Sequence, residues 1–254
     1  MSSDTSEEET RTGRAHAEAF LDAFHAAVRR LPDQVTVLYS GGLDSSLVAH
    51  CAQELGRTVR LSVLGIADAP DVRAAREGAS VLGLPLEESI LAAEEVPRAL
   101  ADPAFGPFPR TEPSRSVRLA FALAMRSATG PDLVCGQGAD ELFGGYAHFH
   151  GLTLADSEAR RREDLARLVD EEWPWALGAA ERLGRRAFAP FLDPSVRRRV
   201  LAIPPARTLA REPPKSWLRT VARNHGVPQL LTDRSKRALQ YGSRVRQSVG
   251  PSIP

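Results

Sequence analysis

The sequence has few cysteines, little net charge and no long apolar run, and each shortage excludes a class of protein. Positive and negative side chains nearly cancel, 33 against 32, so the chain lacks the basic bias expected of a nucleic-acid-binding protein. No stretch approaches the roughly 18 consecutive apolar residues of a membrane helix. Cys51 and Cys135 match no metal-ligand spacing and form no disulfide framework, and residues 1–10 lack the apolar core of a signal peptide. We expect a soluble cytoplasmic protein without membrane contact.

Lysine is the other scarce residue. Of the 33 positively charged side chains only two are lysines, Lys215 and Lys236. The lysine ammonium is a compact charge, whereas the arginine guanidinium is broad and planar. The chain uses arginine at its other positive positions. The two lysines therefore suggest that a compact ammonium is needed at 215 and 236. Leftover surface lysines in an arginine-rich composition are the alternative.

The first glycine-rich stretch, residues 38–46, is Leu-Tyr-Ser-Gly-Gly-Leu-Asp-Ser-Ser. It follows an apolar, β-branched run and precedes apolar residues at helical spacing, which predicts a strand, a tight loop and the start of a helix. Glycines let the backbone approach a ligand, and a helix N-terminus offers donors to an anion. The loop therefore predicts a phosphate site in which Asp44 is a Mg²⁺ ligand. The alternative is a simple turn in which Asp44 caps the helix.

The second glycine-rich stretch, residues 136–146, is Gly-Gln-Gly-Ala-Asp-Glu-Leu-Phe-Gly-Gly-Tyr and follows a short buried strand. Asp140 and Glu141 place two carboxylates at the end of that strand. Carboxylates that face phosphates repel them unless a divalent cation lies between. The two stretches together predict a metal-bridged nucleotide in one cleft, with a glycine-rich hairpin and solvated acids as the alternative.

Strands alternate with helices in the first half of the chain. Predicted strands cover residues 35–38, 58–66, 85–91 and 131–135, and predicted helices cover 15–30, 43–55, 72–82, 92–100 and 115–128. This alternation predicts an α/β fold with a doubly wound, mostly parallel sheet that binds its ligand beyond the carboxyl ends of the strands. After Gly145 only helices are predicted. We expect a polar tail and helix over 1–33 and one domain over 34–254, with a C-terminal helical extension from about 147.

Four ordered motifs resemble the synthetase domain of the asparagine synthetase family. Residues 40–46 resemble its pyrophosphate loop and residues 136–146 its second signature. Ala-Pro-Phe-Leu-Asp at 189–193 is similar to the family's Val-Pro-Phe-Leu-Asp, and residues 234–243 are similar to its lysine-containing stretch near the C-terminus. The resemblance runs from about residue 34 to 247.

The resemblance implies an AMP-forming carbon–nitrogen ligase with an adenine nucleotide alpha hydrolase-like (PP-loop) fold that uses ATP and Mg²⁺. A carboxylate, best matched by aspartate, attacks the α-phosphorus of ATP and pyrophosphate leaves. Ammonia or an amine then displaces AMP and gives an amide. Asp44 and Asp140 are the implied Mg²⁺ ligands, while Lys236 and, more loosely, Lys215 match lysines that stabilise charge at the transferring phosphate. The implied nucleotide-binding residues of the two loops are Ser40, Gly41, Gly42, Asp44, Ser45, Ser46, Gly136, Gly138 and Asp140.

The resemblance implies further roles with weaker matches. Glu112 lies where the family has a glutamate proposed to accept a proton from the incoming amine; a solvated loop acid is the alternative. Leu38, Val63 and Gly65 lie where the family lines its adenine and ribose pocket, although they are equally typical of core positions. An acceptor pocket is implied around residues 112–118 and 147–150, where Arg115 or Arg118 would pair with a substrate carboxylate.

Some positions depart from the family pattern. Residue 2 is Ser, where the full-length family has the cysteine nucleophile of its glutaminase domain. We therefore expect the nitrogen to come from free ammonia, from an amine or from a separate glutaminase subunit, and we leave open a homodimer. Cys135 and Gln137 replace a common Ser and Glu at the border of the site.

Three functions stay open. The first is asparagine formation, and the second is the same adenylation with another acid or amine, as in lactam-forming members of the family. The third is a nucleotide-binding protein that has lost catalysis, which the retention of Asp44, Asp140 and Lys236 argues against. A tRNA-modifying relative is disfavoured because the sequence has no paired catalytic-cysteine motif.

Overall fold

The computed structural model describes residues 2–110, 112, 114–149, 151–209, 213–235 and 239–248, with side chains from residue 11 onward and without those of 239 and 240. In this part of the chain, no helix combines the length and apolar character that crossing a bilayer requires.

A five-stranded sheet with the strand order β3-β2-β1-β4-β5 forms the centre of the fold. Its strands are β1 (Gln34–Leu38), β2 (Thr58–Ile66), β3 (Leu86–Leu91), β4 (Asp132–Val134) and β5 (Arg186–Phe188). All four pairings are parallel. The apolar, β-branched residues of β1 and β2 suit central strands that are buried on both faces. The predicted α/β fold with a doubly wound parallel sheet is confirmed.

Strand β5 corrects the expectation that no strand follows Gly145. It has three residues and extends the sheet beside β4. Arg186 lies opposite Asp132, and its Nε and Nη2 atoms donate to the two carboxylate oxygens over 2.5 and 2.8 Å. A strand this short shows no alternation of apolar and polar residues that sequence reasoning could detect. Apart from β5, the described elements after Gly145 are helices.

Helices connect and cover the strands. They are α1 (Ser2–Arg29), α2 (Leu43–Glu54), α3 (Pro70–Leu82), α4 (Glu95–Ala99), α5 (Ser114–Ser127), α6 (Ala139–Phe143), α7 (Leu154–Arg167), α8 (Trp173–Arg182), α9 (Pro194–Leu201), α10 (Pro205–Thr208), α11 (Ser216–Asn224), α12 (Gln229–Thr232), α13 (Leu239–Gly242) and α14 (Val245–Ser248). Helix α1 starts earlier than the predicted residue 15. A π-helical turn, Leu168–Glu172, joins α7 to α8.

The two faces of the sheet carry separate hydrophobic cores. Val63 and Val134 point into the core formed with α1, α2, α3, α9 and α11. Their neighbours Leu64 and Leu133 point into the cores on the other face, which α5, α8 and α14 supply. Successive residues of a strand point to opposite faces, so helices on both sides bury most of the three central strands β1, β2 and β4, whereas the edge strands β3 and β5 stay partly exposed.

Aromatic side chains fix α1 to α6, to α11 and to the turn at Phe191. The ring of Phe20 meets the ring of Phe143 edge to face at 5.8 Å. Phe24 contacts Phe191 at 4.7 Å, and Trp217 stacks on Phe143 at 5.6 Å. Such pairs contribute about 0.5–1.5 kcal/mol each beyond the area they bury. Helices α1, α6 and α11 therefore share one core.

Candidate active site

A cleft lies at the carboxyl ends of β1 and β4, which pair with each other in the middle of the sheet. β2 and β3 lie beyond β1, whereas β5 lies beyond β4. Such a reversal of strand order is where open α/β sheets bind their ligands. The cleft has a volume of about 980 Å³, and both glycine-rich loops line it. Its size is that of a pocket for a small molecule such as a nucleotide.

The first glycine-rich loop approaches helix α3 so closely that position 41 has no room for a side chain. Gly41 has φ +72°, and a Cβ there would lie 2.5 Å from the backbone carbon and oxygen of Ala74. Helix α2 then begins after Gly42, and no side chain caps it. The first-turn N–H groups of a helix lack internal acceptors and attract anions. Asp44 and Ser45 line the cleft at this helix end.

The serine hydroxyls of the first loop serve different partners. Ser46 is buried, and its Oγ shares a hydrogen bond of 3.0 Å with the hydroxyl of Tyr39. Ser45 donates from Oγ to the carbonyl of Gly42 over 3.3 Å. Ser40 lines the cleft together with Ser45. Ser40 and Ser45 are thus placed to meet a ligand, while the Ser46 hydroxyl faces the protein.

The second glycine-rich loop packs directly on the first. A Cβ on Gly136 would lie 2.8 Å from the Cβ of Asp44. Gly138 has φ +99° and precedes α6, and a Cβ there would lie 2.6 Å from a methyl carbon of Leu192. Both glycines therefore permit close approach within the protein. This packing places Asp140, in the first turn of α6, across the cleft from α2.

Lys215 lies between the two loops and contacts both aspartates. Its Nζ atom is 2.6 Å from Asp44 Oδ2 and 2.5 Å from Asp140 Oδ1, and its side chain is 3% exposed. Burial alone would lower the pKa of Lys215, but Asp140 and Asp44 raise it above the ordinary value. Lys215 has φ +60° immediately before α11. Two carboxylates and one ammonium thus form a buried cluster beside the first glycine-rich loop.

Gly145 makes room for this cluster. A Cβ at position 145 would lie 2.0 Å from Asp140 Oδ1 and 2.2 Å from Lys215 Cε. Any side chain there would displace the carboxylate or the lysine. Sequence reasoning assigned no role to Gly145, although the glycine pair in the second motif is a signal of close backbone approach.

Comparison with known proteins identifies the family. The asparagine synthase family model matches residues 17–189. The chain belongs to the asparagine synthase family. Its match begins inside helix α1 and contains both glycine-rich loops.

Curated relatives of this asparagine synthase family member are longer proteins. Asparagine synthetase [glutamine-hydrolyzing] of Cricetulus griseus is 28% identical over 240 residues, which covers 86% of this chain and 42% of the relative. The root asparagine synthetase [glutamine-hydrolyzing] of Pisum sativum is 29% identical over 194 residues, covering 66% and 32%. The chain therefore spans less than half the length of these relatives. A solved NH3-dependent NAD synthetase from Campylobacter jejuni aligns with a TM-score of 0.37 and 16% identity over 67% of this chain and 93% of that chain.

Arg219 is a cleft residue that sequence reasoning missed. It lies one helical turn after Lys215 and lines the cleft. Its Nε donates to the carbonyl of Pro214 over 2.8 Å, and its Nη1 donates to the carbonyls of Arg234, over 3.0 Å, and Thr232. Burial lowers the pKa of Arg219, against the opposing effect of Asp44. Arg219 thus ties the segment before α11 to the segment that leads to residue 236.

Lys236 lies outside the described residues, so its predicted role stays a prediction. The two residues that precede it by one and two positions, Ser235 and Arg234, line the cleft. Arg234 also pairs with Glu77 of α3. The chain therefore enters the Lys236 segment from the wall of the cleft.

Glu112 lies at the entrance to α5 and is surrounded by donors. Ser116 Oγ donates to it over 2.6 Å, Arg246 over 2.8 Å and Arg115 over 3.2 Å. Although burial would raise the pKa of Glu112, these donors lower it below the ordinary value. Glu112 is not among the described residues that line the cleft. This geometry supports anchoring of α5, and the general-base role stays a prediction.

Of the remaining residues predicted for the nucleotide and acceptor pockets, some line the cleft and others do not. Leu38 and Val63 line the cleft. Gly65 instead allows β2 to pack on α3, since a Cβ there would lie 2.6 Å from a methyl carbon of Val72. Arg118 is paired with Glu172 at 2.9 Å. Arg118 and Arg115 therefore both hold protein carboxylates in this structure.

A second polar group in the cleft wall contains Glu141 and His148, which sequence reasoning had singled out, together with Asp164 and its arginine partners, which it missed. Tyr146 donates from its hydroxyl to Glu141 over 2.5 Å. Asp164 is buried and contacts His148 at 2.7 Å as well as Arg160 and Arg167, both at 3.2 Å. These contacts join α6, α7 and the segment between them. Both signs of charge therefore lie along one wall of the cleft.

Cys135 and Gln137, the two departures from the family pattern, both line the cleft. Burial raises the pKa of the Cys135 thiol to about 12, against a hydrogen bond from the Gln137 backbone. The thiol is therefore protonated at neutral pH and acts as a small apolar group of the wall.

Proposed function

We propose that this asparagine synthase family member is an ATP-dependent, AMP-forming ligase that activates a carboxylate and converts it to an amide. The observation that carries the proposal is the convergence of Asp44 and Asp140, one from each glycine-rich loop, on the Nζ atom of Lys215. The cluster lies beside the uncapped N-terminus of α2. An anion-binding helix end next to fixed positive and negative groups suits a polyphosphate and its metal.

The phosphate groups of ATP would bind at the start of α2. The helix N-terminus supplies N–H donors, and Ser40 and Ser45 supply hydroxyl donors at the same edge of the cleft. The backbone of Gly41 and Gly42 approaches the ligand without side-chain obstruction. Leu38 and Val63 would contact the nucleoside, since both line the cleft beyond the first loop.

Asp44 and Asp140 fit a Mg²⁺ site, and we propose them as its protein ligands. Their carboxylate oxygens lie within 2.6 and 2.5 Å of one cationic atom, so the loops already hold two hard oxygen donors around a positive charge. When bound, Mg²⁺ would neutralise the charge of the leaving pyrophosphate. With Mg²⁺ bound, Lys215 would either keep its contacts with the two carboxylates beside the metal or turn its ammonium towards the phosphates.

The proposed reaction has two steps. A carboxylate oxygen of the substrate bonds to the α-phosphorus of ATP, the bond to the bridging oxygen breaks, and pyrophosphate leaves. The nitrogen of ammonia or an amine then bonds to the carbonyl carbon, AMP leaves with the former carboxylate oxygen, and the nitrogen loses a proton. Lys215 and Lys236 would stabilise the negative charge that develops on the phosphate oxygens in the first step.

Aspartate is the proposed acid. Besides the carboxylate that reacts, aspartate presents an ammonium and a second carboxylate. The cleft wall carries charges of both signs that suit these groups, namely arginines at 160 and 167 and the acids Asp164 and Glu172. We propose that nitrogen arrives as ammonia, as an amine or from a separate glutaminase subunit. The relatives named as glutamine-hydrolyzing are matched over 42% and 32% of their lengths.

ATP–pyrophosphate exchange with a panel of carboxylic acids tests the proposal. We expect exchange with one acid of the panel, amide and AMP when ammonia is added, and loss of exchange in Asp44→Asn and Asp140→Asn. Asp33→Asn is the control, because the Asp33 side chain is 94% exposed and is not among the described residues that line the cleft. Absence of exchange with every acid would overturn the ligase proposal. Exchange with an acid other than aspartate would overturn only the choice of substrate.

A further inference from the structure

Four potential metal ligands meet at the carboxyl ends of α2 and α11, away from the glycine-rich loop at the amino end of α2. One ring nitrogen each of His25 and His225, the Sγ atom of Cys51 and a carboxylate oxygen of Glu54 all lie within 4.8 Å of one another. His25 comes from α1, Cys51 and Glu54 come from the last turns of α2, and His225 directly follows α11. None of these four residues belongs to the active site described above.

The separations between the nitrogen and oxygen atoms are close to those between neighbouring ligands of a zinc ion. The two Nε2 atoms are 3.0 Å apart. Glu54 Oε2 lies 2.9 Å from His225 Nε2 and 3.8 Å from His25 Nε2. In a tetrahedral zinc site with bonds of about 2.0–2.3 Å, neighbouring ligand atoms are about 3.3–3.8 Å apart. The two nitrogen atoms and the carboxylate oxygen therefore need to move by only a few tenths of an ångström to surround a metal, and the widest separation in the group, at most 4.8 Å, has to shorten by up to about 1 Å.

Hydrogen bonds alone cannot satisfy all the contacts between these side chains. If His225 carries its proton on Nε2 and donates to Glu54, the same nitrogen offers no lone pair to His25 across 3.0 Å. A metal ion accepts the lone pairs of both imidazoles and of the carboxylate at once. The backbone of His225 is held independently, because His50 donates from Nε2 to its carbonyl over 3.2 Å.

The donor set and its burial select the metal. One sulfur, two imidazole nitrogens and one carboxylate oxygen suit Zn²⁺, whereas Mg²⁺ and Ca²⁺ prefer oxygen ligands alone. Cys51 is fully buried, and the two histidine side chains are 16% and 14% exposed. When the Cys51 thiol loses its proton, the thiolate and the carboxylate balance the charge of Zn²⁺. Four protein ligands make a closed site of the structural type.

We propose that His25, Cys51, Glu54 and His225 form a structural zinc site that ties α1 to the carboxyl ends of α2 and α11. The amino end of α2 carries Asp44, and Lys215 immediately precedes α11. Zinc therefore fixes the far ends of the two helices whose first turns form the active-site cluster. The site holds the phosphate loop and Lys215 in register from outside the cleft.

Cobalt substitution tests the site directly. The full chain, stripped with a chelator, is titrated with Co²⁺ and then with Zn²⁺. We expect one equivalent of Co²⁺ with the visible bands of tetrahedral coordination and a thiolate-to-cobalt charge-transfer band, both displaced by Zn²⁺. We also expect Zn²⁺ to raise the Tm, because it binds the folded state.

Ligand variants and matched controls make the test specific. Cys51→Ser removes the charge-transfer band, and His25→Ala and Glu54→Gln weaken Zn²⁺ binding at least about 100-fold, since loss of even an outer-shell contact costs 10–100-fold. His16→Ala on the same helix and Cys135→Ser leave binding unchanged. Because Cys51 is buried, Glu54→Gln, at a half-exposed side chain, keeps the test valid if Cys51→Ser fails to fold. Octahedral cobalt spectra, binding that survives His25→Ala and Glu54→Gln, or no stoichiometric binding would overturn the site.

Discussion

The Nζ atom of Lys215 lies 2.6 Å from Oδ2 of Asp44, a residue 171 positions earlier in the chain. This contact joins the start of α11 to the first glycine-rich loop, and Asp140 completes it from the second loop at 2.5 Å. The Lys215 side chain thus links the first glycine-rich loop, the second glycine-rich loop and the C-terminal half of the fold. The stability of the cluster and the proposed chemistry depend on the same three residues.

Removal of the Lys215 charge leaves two carboxylates facing each other in a buried place. We expect Lys215→Met to lower the free energy of unfolding by about 3 kcal/mol, because loss of one partner of a buried ion pair leaves uncompensated charge. Mg²⁺ should restore part of this loss if Asp44 and Asp140 are its ligands. Chemical denaturation with and without Mg²⁺ measures both effects.

The exposed ion pair between Arg76 and Glu88, 2.6 Å apart, gives the control. Arg76→Met should destabilise the protein much less than Lys215→Met, because surface ion pairs contribute little to stability. Equal losses in Lys215→Met and Arg76→Met would contradict the energetic role assigned to the buried cluster.

Gly145→Ala tests the close approach at the cluster. The new methyl group would lie 2.0 Å from Asp140 Oδ1, so we expect Asp140 to be displaced and the exchange rate to fall by about 100-fold, the usual cost of a small misplacement of a catalytic group. Gly178→Ala is the control, since its methyl group would meet only the flexible end of Arg182 at 3.3 Å and alanine favours a helix by about 1 kcal/mol. Normal exchange in Gly145→Ala would be inconsistent with the proposed positioning of Asp140.

Glu112 makes a testable contribution to the pH dependence of stability. Its folded-state pKa is lowered, so its contribution is present above the ordinary glutamate value of about 4.3 and is lost as the pH falls through the lower folded value. We expect Glu112→Gln to lower the free energy of unfolding by about 1.5–3 kcal/mol at neutral pH, the size of hydrogen bonds to a charged group. The difference between the two proteins should shrink in acid. A difference that grows in acid would show the opposite pKa shift.

Lys236 is expected to act at the transferring phosphate. Lys236→Ala should reduce ATP–pyrophosphate exchange by about 100-fold or more, the range for loss of one fixed charge-stabilising donor. Binding of ATP, followed by calorimetry, should stay measurable. A variant with normal exchange would remove Lys236 from the proposed mechanism.

The sheet, the helices of the first half and both glycine-rich loops could be predicted because their signals are local. Periodic apolar residues and glycine spacing lie within ten or so neighbouring positions. β5 could not be predicted, since a three-residue edge strand depends on its pairing with Asp132 and the rest of β4. For Gly65 the sequence allowed both a nucleotide-pocket and a core position, and the close packing of β2 on Val72 explains the glycine without a ligand, so its pocket role stays a prediction.

The meeting of the two glycine-rich loops in one cleft could be predicted, but most side-chain contacts between distant parts of the chain could not. The rarity of lysine singled out Lys215, but its position between Asp44 and Asp140 depends on how α11 crosses the cleft. His25 and His225, 200 positions apart, show no common motif and meet only through the packing of α1 on α11. Tertiary structure, and not local pattern, brings such residues together.

The transfer of a heavy oxygen isotope from the substrate tests the central claim, that a carboxylate attacks the α-phosphorus of ATP, most directly. The acid that supports exchange is labelled in its carboxylate oxygens, and the products formed with ammonia are analysed by mass spectrometry. We predict one heavy oxygen atom in each AMP and none in pyrophosphate. A label found in inorganic phosphate, or absent from AMP while amide is formed, would contradict adenylation.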